Sequence, residues 1–99
     1  MRTMIVLIAK NVVAEKNAAE FLQIAEKLVA ETRKEVGCIY YDLVQDTNEK
    51  NVFYFVEKYS NQEAVELHKN SAYFQSYVPQ MQALREDSQL IHCDVVSFE

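Results

Sequence analysis

Residues 51–59 (NVFYFVEKY) constrain the fold most, because they predict a β-strand that is apolar on both faces. Strand alternation puts Phe53, Phe55, Glu57 and Tyr59 on one face, whereas Val52, Tyr54, Val56 and Lys58 occupy the other. A small lone domain cannot cover both faces of such a strand. The pattern therefore predicts a sheet with helices on one side and a second subunit on the other.

The rest of the chain predicts the elements around this strand. Apolar and amphipathic patterns indicate strands at 4–13, 38–46 and 90–98, a helix at about 18–35, and shorter helices at 61–70 and 72–86. The order β-α-β-β-α-β is typical of the α+β, ferredoxin-like split βαβ fold, in which helices cover one face of an antiparallel sheet. Residues 1–99 are predicted to form one domain.

Helix boundaries follow from local signals. Asn17 is expected to cap the first helix, with Glu20 completing a capping box, and Gly37 is expected to end it. Ser60, followed three residues later by a glutamate, is expected to cap the second helix. Pro79 is expected to kink or split the third.

Composition excludes several classes of protein. The net charge of −5 argues against nucleic-acid and anionic-membrane partners, and without a signal peptide or transmembrane run we expect a cytoplasmic protein. With one glycine in the chain, a glycine-rich nucleotide loop is not expected. Cys38 and Cys93 are expected to be separate, buried thiols, and no metal-ligand spacing or resident cofactor is predicted.

Two histidines differ in their setting. His68 lies on the inner side of the second helix, beside an aromatic pair, which suits either a hydrogen-bonded structural histidine or an acid–base group in a pocket. His92 lies inside the last strand and is expected to be structural. Only His68 is therefore a candidate catalytic histidine.

Glu57 and Asn11 are the other catalytic candidates. An acid on an otherwise aromatic strand face needs an ion-pair partner or a cavity, so Glu57 is either paired structurally or orients a ligand. Asn11, near the end of the first strand, either faces water or orients an oxygen. Aromatic side chains suited to a flat ligand supply the predicted substrate-binding set: Tyr41, Phe55, Tyr59, Tyr73 and Phe74.

Several segments resemble the antibiotic biosynthesis monooxygenase (ABM) family of small dimeric α+β barrel proteins. They are residues 35–38 (EVGC) with Tyr41 and Asp42, 55–59 (FVEKY), 64–68 and 71–74. The resemblance spans nearly the whole chain. It implies a homodimer joined through the sheet faces, with a pocket between sheet and helices in each subunit.

The resemblance also implies an activity: cofactor-independent monooxygenation, in which a deprotonated phenol or quinol reacts with dioxygen itself. On that basis His68 is the expected base or hydrogen-bond partner, supported by Asn11 and Glu57. Two alternatives are a non-catalytic dimer that binds a small molecule and an isomerase of a phosphorylated signalling sugar derivative. The isomerase would require a phosphate clamp, for which Lys10, Lys58 and Lys69 are candidates.

The haem-degrading branch of the family is not expected to include this chain. Its pattern combines an asparagine near the end of the first strand with a tryptophan on the short helix and a histidine ligand on the next helix. Asn11 matches the first of these. His68 stands where the tryptophan would be, Val78 stands about where the ligand would be, and the chain has no tryptophan.

Overall fold

A computed structural model describes residues 3–98 and shows a four-stranded antiparallel sheet with three helices. The elements are, in chain order, β1 (Ile5–Val13), α1 (Glu15–Thr32), β2 (Cys38–Gln45), β3 (Val52–Tyr59), α2 (Gln62–Lys69), α3 (Ala72–Gln82) and β4 (Arg85–Asp94). The strands are ordered β2-β3-β1-β4. This arrangement confirms the ferredoxin-like α+β fold.

The helices pack on one face of the sheet, called here the inner face. β3 contributes Phe53, Phe55, Glu57 and Tyr59 to it, all of them buried, as the alternation of its sequence predicts. From α1, Phe21 and Leu28 join the same core cluster as the two phenylalanines. Complete burial of a side chain such as Phe21 contributes about 1.5–3 kcal/mol to folding, so this stripe fixes the helix on the sheet.

The start of α1 differs from the sequence prediction. The helix begins at Glu15, its N-cap residue is Ala14, and no side chain caps it. Asn17, predicted as the cap, lies in the first turn and donates its amide to the carbonyl of Leu84, 3.2 Å away. The capping box with Glu20 is therefore wrong, because a contact with the loop before β4 uses the asparagine instead.

Gly37 does not terminate a helix, since α1 ends at Thr32 and Gly37 has no positive φ. The reason for a glycine here is a close approach. A Cβ atom added at this position would lie 2.4 Å from the Cβ of Ala64 on α2. The carbonyl of Gly37 also accepts a hydrogen bond of 2.9 Å from the backbone N–H of Ser60. Gly37 therefore lets the chain before β2 pack directly against α2.

The caps of the shorter helices follow the expected chemistry at shifted positions. Asn61, not Ser60, caps α2 through a 2.9 Å hydrogen bond from the N–H of Ala64 to its side-chain oxygen. Ser71 caps α3. Pro79 lies inside α3 and does not split it, since the helix continues to Gln82. The proline removes one N–H donor, and only a short helical stretch follows it.

β4 spans Arg85–Asp94, so it begins and ends several residues earlier than the strand predicted at 90–98. Its first half is polar, so its sequence carries no strand signal. It pairs nevertheless with the second half of β1, with Asn11 opposite Ser88 and Val13 opposite Arg85, across a bulge between Val12 and Val13. Pairing with β1 therefore determines where β4 begins, and it places Arg85 on the inner face.

Candidate active site

A cavity of about 260 Å³ lies between the inner face of the sheet and helices α2 and α3. Its apolar wall includes Leu7, Ala9, Phe55, Phe74 and Met81, and its polar groups include Asn11, Tyr41, Glu57, His68, Arg85 and His92. The polar groups sort into two ends by the strand register. One end holds His68, Glu57 and Tyr41, and the other holds Asn11 and Arg85.

The sheet register explains this separation. Leu7 of β1 lies opposite Glu57 on one side and His92 on the other, and Glu57 in turn lies opposite Tyr41. These four positions form one row across the inner face. Asn11 lies further along β1, on the same face because it is an even number of residues away. The small side chain of Ala9 leaves space between the two rows.

His68 is enclosed by aromatic rings at the first end. It is 1 % exposed, and its ring centroid lies 5.4 Å from those of Tyr41 and Tyr59 and 4.9 Å from that of Phe74. Burial lowers the pKa of His68 to about 4, so the imidazole is neutral at physiological pH. A neutral imidazole has one ring nitrogen that accepts and one that donates.

The ionisation state of Glu35 determines which ring nitrogen of His68 donates a hydrogen bond and which one accepts. Its Oε2 lies 3.1 Å from Nδ1 of His68, and burial raises the pKa of Glu35 to about 7. The contact is a hydrogen bond and not an ion pair, because the imidazole is uncharged. When Glu35 is protonated it donates to Nδ1, so the ring proton resides on Nε2. When Glu35 is ionised it accepts from Nδ1–H, and Nε2 becomes a bare acceptor.

Glu57 is the second carboxyl at this end. It is 5 % exposed, and its Oε1 accepts a 2.7 Å hydrogen bond from the hydroxyl of Tyr59. Burial raises the pKa of Glu57 to about 7; the hydrogen bond from Tyr59 opposes this rise, and the charge of Glu35 adds to it. Burial and the nearby Glu57 raise the pKa of both Tyr41 and Tyr59. The tyrosines therefore stay protonated, and two groups at this end titrate near neutrality, Glu35 and Glu57, beside the neutral imidazole of His68.

Asn11 and Arg85 form the second end. Nη1 of Arg85 donates a 2.9 Å hydrogen bond to Oδ1 of Asn11, whose own amide nitrogen donates to the carbonyl of Ala9 at 3.2 Å. Asn11 is 1 % exposed. Its amide oxygen is thus used within the protein, and its main effect is to hold the guanidinium of Arg85 at the cavity.

Comparison with known proteins identifies the family. The family model described as "Antibiotic biosynthesis monooxygenase" matches residues 4–80. The chain belongs to the ABM family. It is 39% identical over 75 residues to the Bacillus subtilis protein named "Putative monooxygenase YcnE", an alignment that covers 76% of this chain and 79% of that protein.

Solved structures agree with the ABM fold. A Pseudomonas aeruginosa protein, PA3566, shares 30% identity and superposes with a TM-score of 0.88 over 98% of each chain. A crystal structure of an antibiotic biosynthesis monooxygenase shares 26% identity with a TM-score of 0.88, covering 94% of this chain and 99% of that one. The family match ends before β4, so Arg85 and His92 lie beyond the residues that it aligns.

In this ABM protein the predicted catalytic residues His68, Asn11 and Glu57 all line one cavity. Of the predicted substrate-binding residues, Tyr41, Phe55 and Phe74 line it as well. Tyr59 and Tyr73 do not. Tyr59 is fully buried behind Glu57, and the hydroxyl of Tyr73 is buried without a hydrogen-bond partner among residues 3–98.

Three residues that were not predicted as site residues belong to the site. Glu35 lies in the loop after α1, where a glutamate ordinarily faces water. Arg85 lies in the segment 72–86 that was predicted to be helical; that prediction is wrong at its end, because α3 stops at Gln82 and Arg85 begins β4. His92, predicted to be structural, is exposed and lines the cavity. Their roles depend on contacts between distant segments of the chain. The alternation of β1 was the one sequence signal that could have located them, because it would have given the register of β4 if the first residue of β4 had been known.

Residues 3–98 of the ABM protein contain no group of three or more His, Cys, Asp or Glu residues placed to hold a metal ion. No helix among them is both long and apolar enough to cross a lipid bilayer. Cys38 and Cys93 are separate free thiols, each half-buried. Of the three lysines named for a phosphate clamp, Lys10 and Lys69 line the cavity, whereas Lys58 lies on the outer face of the sheet, opposite Val6.

Proposed function

We propose that this protein is a cofactor-independent monooxygenase of a small phenol or quinol. The observation that carries the proposal is a buried, neutral histidine paired with a carboxyl at one end of an otherwise apolar cavity, next to a second carboxyl of raised pKa. Such groups remove a proton near neutral pH, which is the step that makes an aromatic hydroxyl reactive towards dioxygen. Family membership supports the same class of reaction.

The reaction balances without an added reductant. A hydroquinone gives a proton to Nε2 of His68, and the resulting anion passes one electron to dioxygen. The ring radical and superoxide combine to form a C–O bond. The O–O bond then breaks, the ring carbon loses its proton, and one oxygen atom stays in a hydroxyquinone while the other leaves as water. The substrate supplies all the electrons.

The cavity favours this chemistry in two ways. Apolar side chains such as Leu7 and Phe74 exclude water from the anion and strengthen its interaction with the protein. Tyr41 and Tyr59 keep their protons, as their raised pKa values require, so they cannot compete with His68 as bases. Phe74 and Tyr41 supply ring faces against which a flat substrate can stack.

Oxygen uptake with hydroquinone tests the proposal. We expect wild-type protein to consume dioxygen and His68→Ala to lose about 10²–10⁴-fold in rate, the usual contribution of a positioned acid–base group. Leu67→Ala is the matched control, because Leu67 is the neighbouring residue on α2 and is 74% exposed. Equal rates for wild type and His68→Ala would remove His68 from the mechanism. Tight binding without oxygen uptake would instead favour a binding protein.

We also propose that the outer face of the sheet pairs with a second copy of the chain. This face carries Ile8, Val56 and Ile91 in one row, and the helices pack on the opposite face. Ile91 is 43% exposed. A charge placed at the centre of the row, in Ile8→Glu, is expected to convert a dimer into a monomer in sedimentation experiments. A wild-type protein that sediments as a monomer at micromolar concentration would contradict the pairing.

A further inference from the structure

Among residues 3–98, no carboxylate pairs with the guanidinium of Arg85. Within residues 3–98 the ion pairs are Arg33–Asp42, Lys34–Glu31 and the His68–Glu35 contact, and none of them includes Arg85. Arg85 is nevertheless half-buried, and burial lowers its pKa because the charged form loses hydration. A partly desolvated cation without an anion is costly, and arginine's planar fork is suited to carboxylates.

Asn11 holds this cation in place at the cavity. The hydrogen bond to Oδ1 of Asn11 uses one of the five N–H groups of Arg85, and that asparagine is itself fixed by the carbonyl of Ala9. Among the described residues the guanidinium of Arg85 has no other hydrogen-bond acceptor. Several of its donors are therefore left for a ligand, and the arginine is positioned before the ligand arrives.

Charge is distributed unevenly around the cavity. The whole chain carries a net charge of −5, yet the cavity lining includes Arg85 and Lys69 and only one acid, Glu57. Burial raises the pKa of Glu57 to about 7, so even that acid is partly neutral near pH 7. A cationic pocket in an acidic protein favours a ligand that carries negative charge.

We propose that the pocket takes a single-ring aromatic compound with a carboxylate at the end opposite its hydroxyl group. The carboxylate pairs with Arg85 and the hydroxyl meets His68 and Glu57. The inference rests on the proposed function for the hydroxyl end, whereas the carboxylate end depends on Arg85 alone. The reverse orientation is disfavoured, because it would place the carboxylate beside Glu57.

The dimensions of the cavity fit one ring. An apolar cavity of about 150 Å³ is enough for benzene, so the 260 Å³ found here holds one ring with substituents but not a fused three-ring system. Along β1 the rows of Asn11 and Leu7 are separated by on the order of 14 Å, at about 3.4 Å per residue. Side chains from both rows reach into this space and a hydrogen bond is needed at each end, so a para-substituted ring suits the two ends better than a longer ligand.

Anaerobic titration calorimetry tests the inference without turnover. The probes are 4-hydroxybenzoate, its methyl ester and phenol. We expect wild-type protein to bind the carboxylate at least about 10-fold more tightly than the ester, since a hydrogen-bonded charge pair is lost in the ester. Arg85→Met keeps the aliphatic stem and is expected to lose about 10- to 100-fold in affinity for 4-hydroxybenzoate only. Arg85→Lys should retain part of the preference, because it keeps the charge but not the fork.

Lys27→Gln is the control for charge removal, because Lys27 is exposed on α1 and does not line the cavity. Its affinity for the carboxylate should equal that of wild type. Equal binding of acid and ester, or unchanged binding in Arg85→Met, would overturn the inference. Inorganic phosphate is a further probe, and Arg85-dependent binding of phosphate as tight as that of 4-hydroxybenzoate would overturn the aromatic part of it.

The outcomes separate this inference from the proposed function. Arg85-dependent binding of 4-hydroxybenzoate, with no oxygen uptake on any hydroquinone, would leave the ligand class standing and remove the monooxygenase. Oxygen uptake with neutral hydroquinone, together with no preference for a carboxylate, would do the reverse.

Discussion

Oε2 of Glu35 lies 3.1 Å from Nδ1 of His68, although the two residues are 33 positions apart in sequence. The close packing of Gly37 against Ala64 lets the chain just after Glu35 approach α2. The consequence is that the proton on the imidazole depends on the ionisation of Glu35, and His68 acts as a base through Nε2 only when that carboxyl is charged.

The first prediction concerns the pH dependence of activity. We expect kcat/KM to rise with a midpoint near pH 7, as Glu35 ionises and frees Nε2 of His68. In Glu35→Gln this ionisation is absent, so the rise should disappear. Glu57→Gln is the comparison, because Glu57 also has a pKa of about 7; the rise should persist in that variant. The groups facing the pair include Tyr41, Tyr59 and Phe74.

Nitrogen chemical shifts of His68 provide a readout of the same prediction that does not need turnover. The proton should reside on Nε2 below pH 7 and on Nδ1 above it. An imidazole whose tautomer does not change between pH 6 and 8 would contradict the role of Glu35.

The second prediction concerns stability at alkaline pH. The pKa of Glu57 is raised from 4.5 to about 7, so its contribution to stability is fully present below pH 4.5 and is lost as pH rises through 7. Glu57→Gln has no charge to bury, and it should be more stable than wild type at pH 8, by up to about 3 kcal/mol. Urea unfolding at pH 5 and pH 8 measures the difference, which should nearly vanish at pH 5.

The burial of His68 changes stability with pH in the opposite direction. The effect of Glu57 is therefore measured as the difference in stability between Glu57→Gln and wild type. The pKa of His68 is lowered from 6.5 to about 4, so its contribution to stability is present above pH 6.5 and is lost as pH falls through 4. Both proteins retain this histidine. A Glu57→Gln protein less stable than wild type at pH 8 would show that the carboxylate is stabilised by contacts that outweigh its burial.

The third prediction compares two buried tyrosines. The hydroxyl of Tyr73 has no partner among the described residues, so Tyr73→Phe should leave stability unchanged or raise it by up to about 1 kcal/mol. The hydroxyl of Tyr59 donates to Glu57, and Tyr59→Phe should lower stability by about 1–3 kcal/mol because it leaves the carboxyl without this donor. Thermal unfolding of the two variants side by side checks the contrast, and equal losses would refute it.

The fourth prediction concerns Gly37. In Gly37→Ala the new methyl group would overlap the Cβ of Ala64, so α2 must move. We expect a loss of about 1–3 kcal/mol, as for other overpacked sites, and a weaker contact between Glu35 and His68. Gly37→Ala combined with Ala64→Gly should recover most of the stability, since it restores the space. No recovery in the double variant would mean that the backbone of Gly37 matters for another reason.

The strands show which parts of the fold local sequence patterns can predict. The period-two alternation of β3 predicted that Phe53, Phe55, Glu57 and Tyr59 share one face, and all four are buried under the helices. The same kind of reasoning misplaced β4, because residues 85–89 are polar and acquire strand structure only by pairing with β1. The cap at Asn17 was wrong for a related reason, since its side chain contacts Leu84 far along the chain.

Periodicity and residue chemistry are local properties, so they were enough to predict the order of elements, the side chains that share each face of β3, and His68, Glu57 and Asn11 as candidates. The contacts of Glu35 with His68 and of Arg85 with Asn11 are evident only in the folded chain. Those contacts join segments 33 and 74 positions apart. They depend on strand register and on the approach of one backbone to another, which no short stretch of sequence specifies.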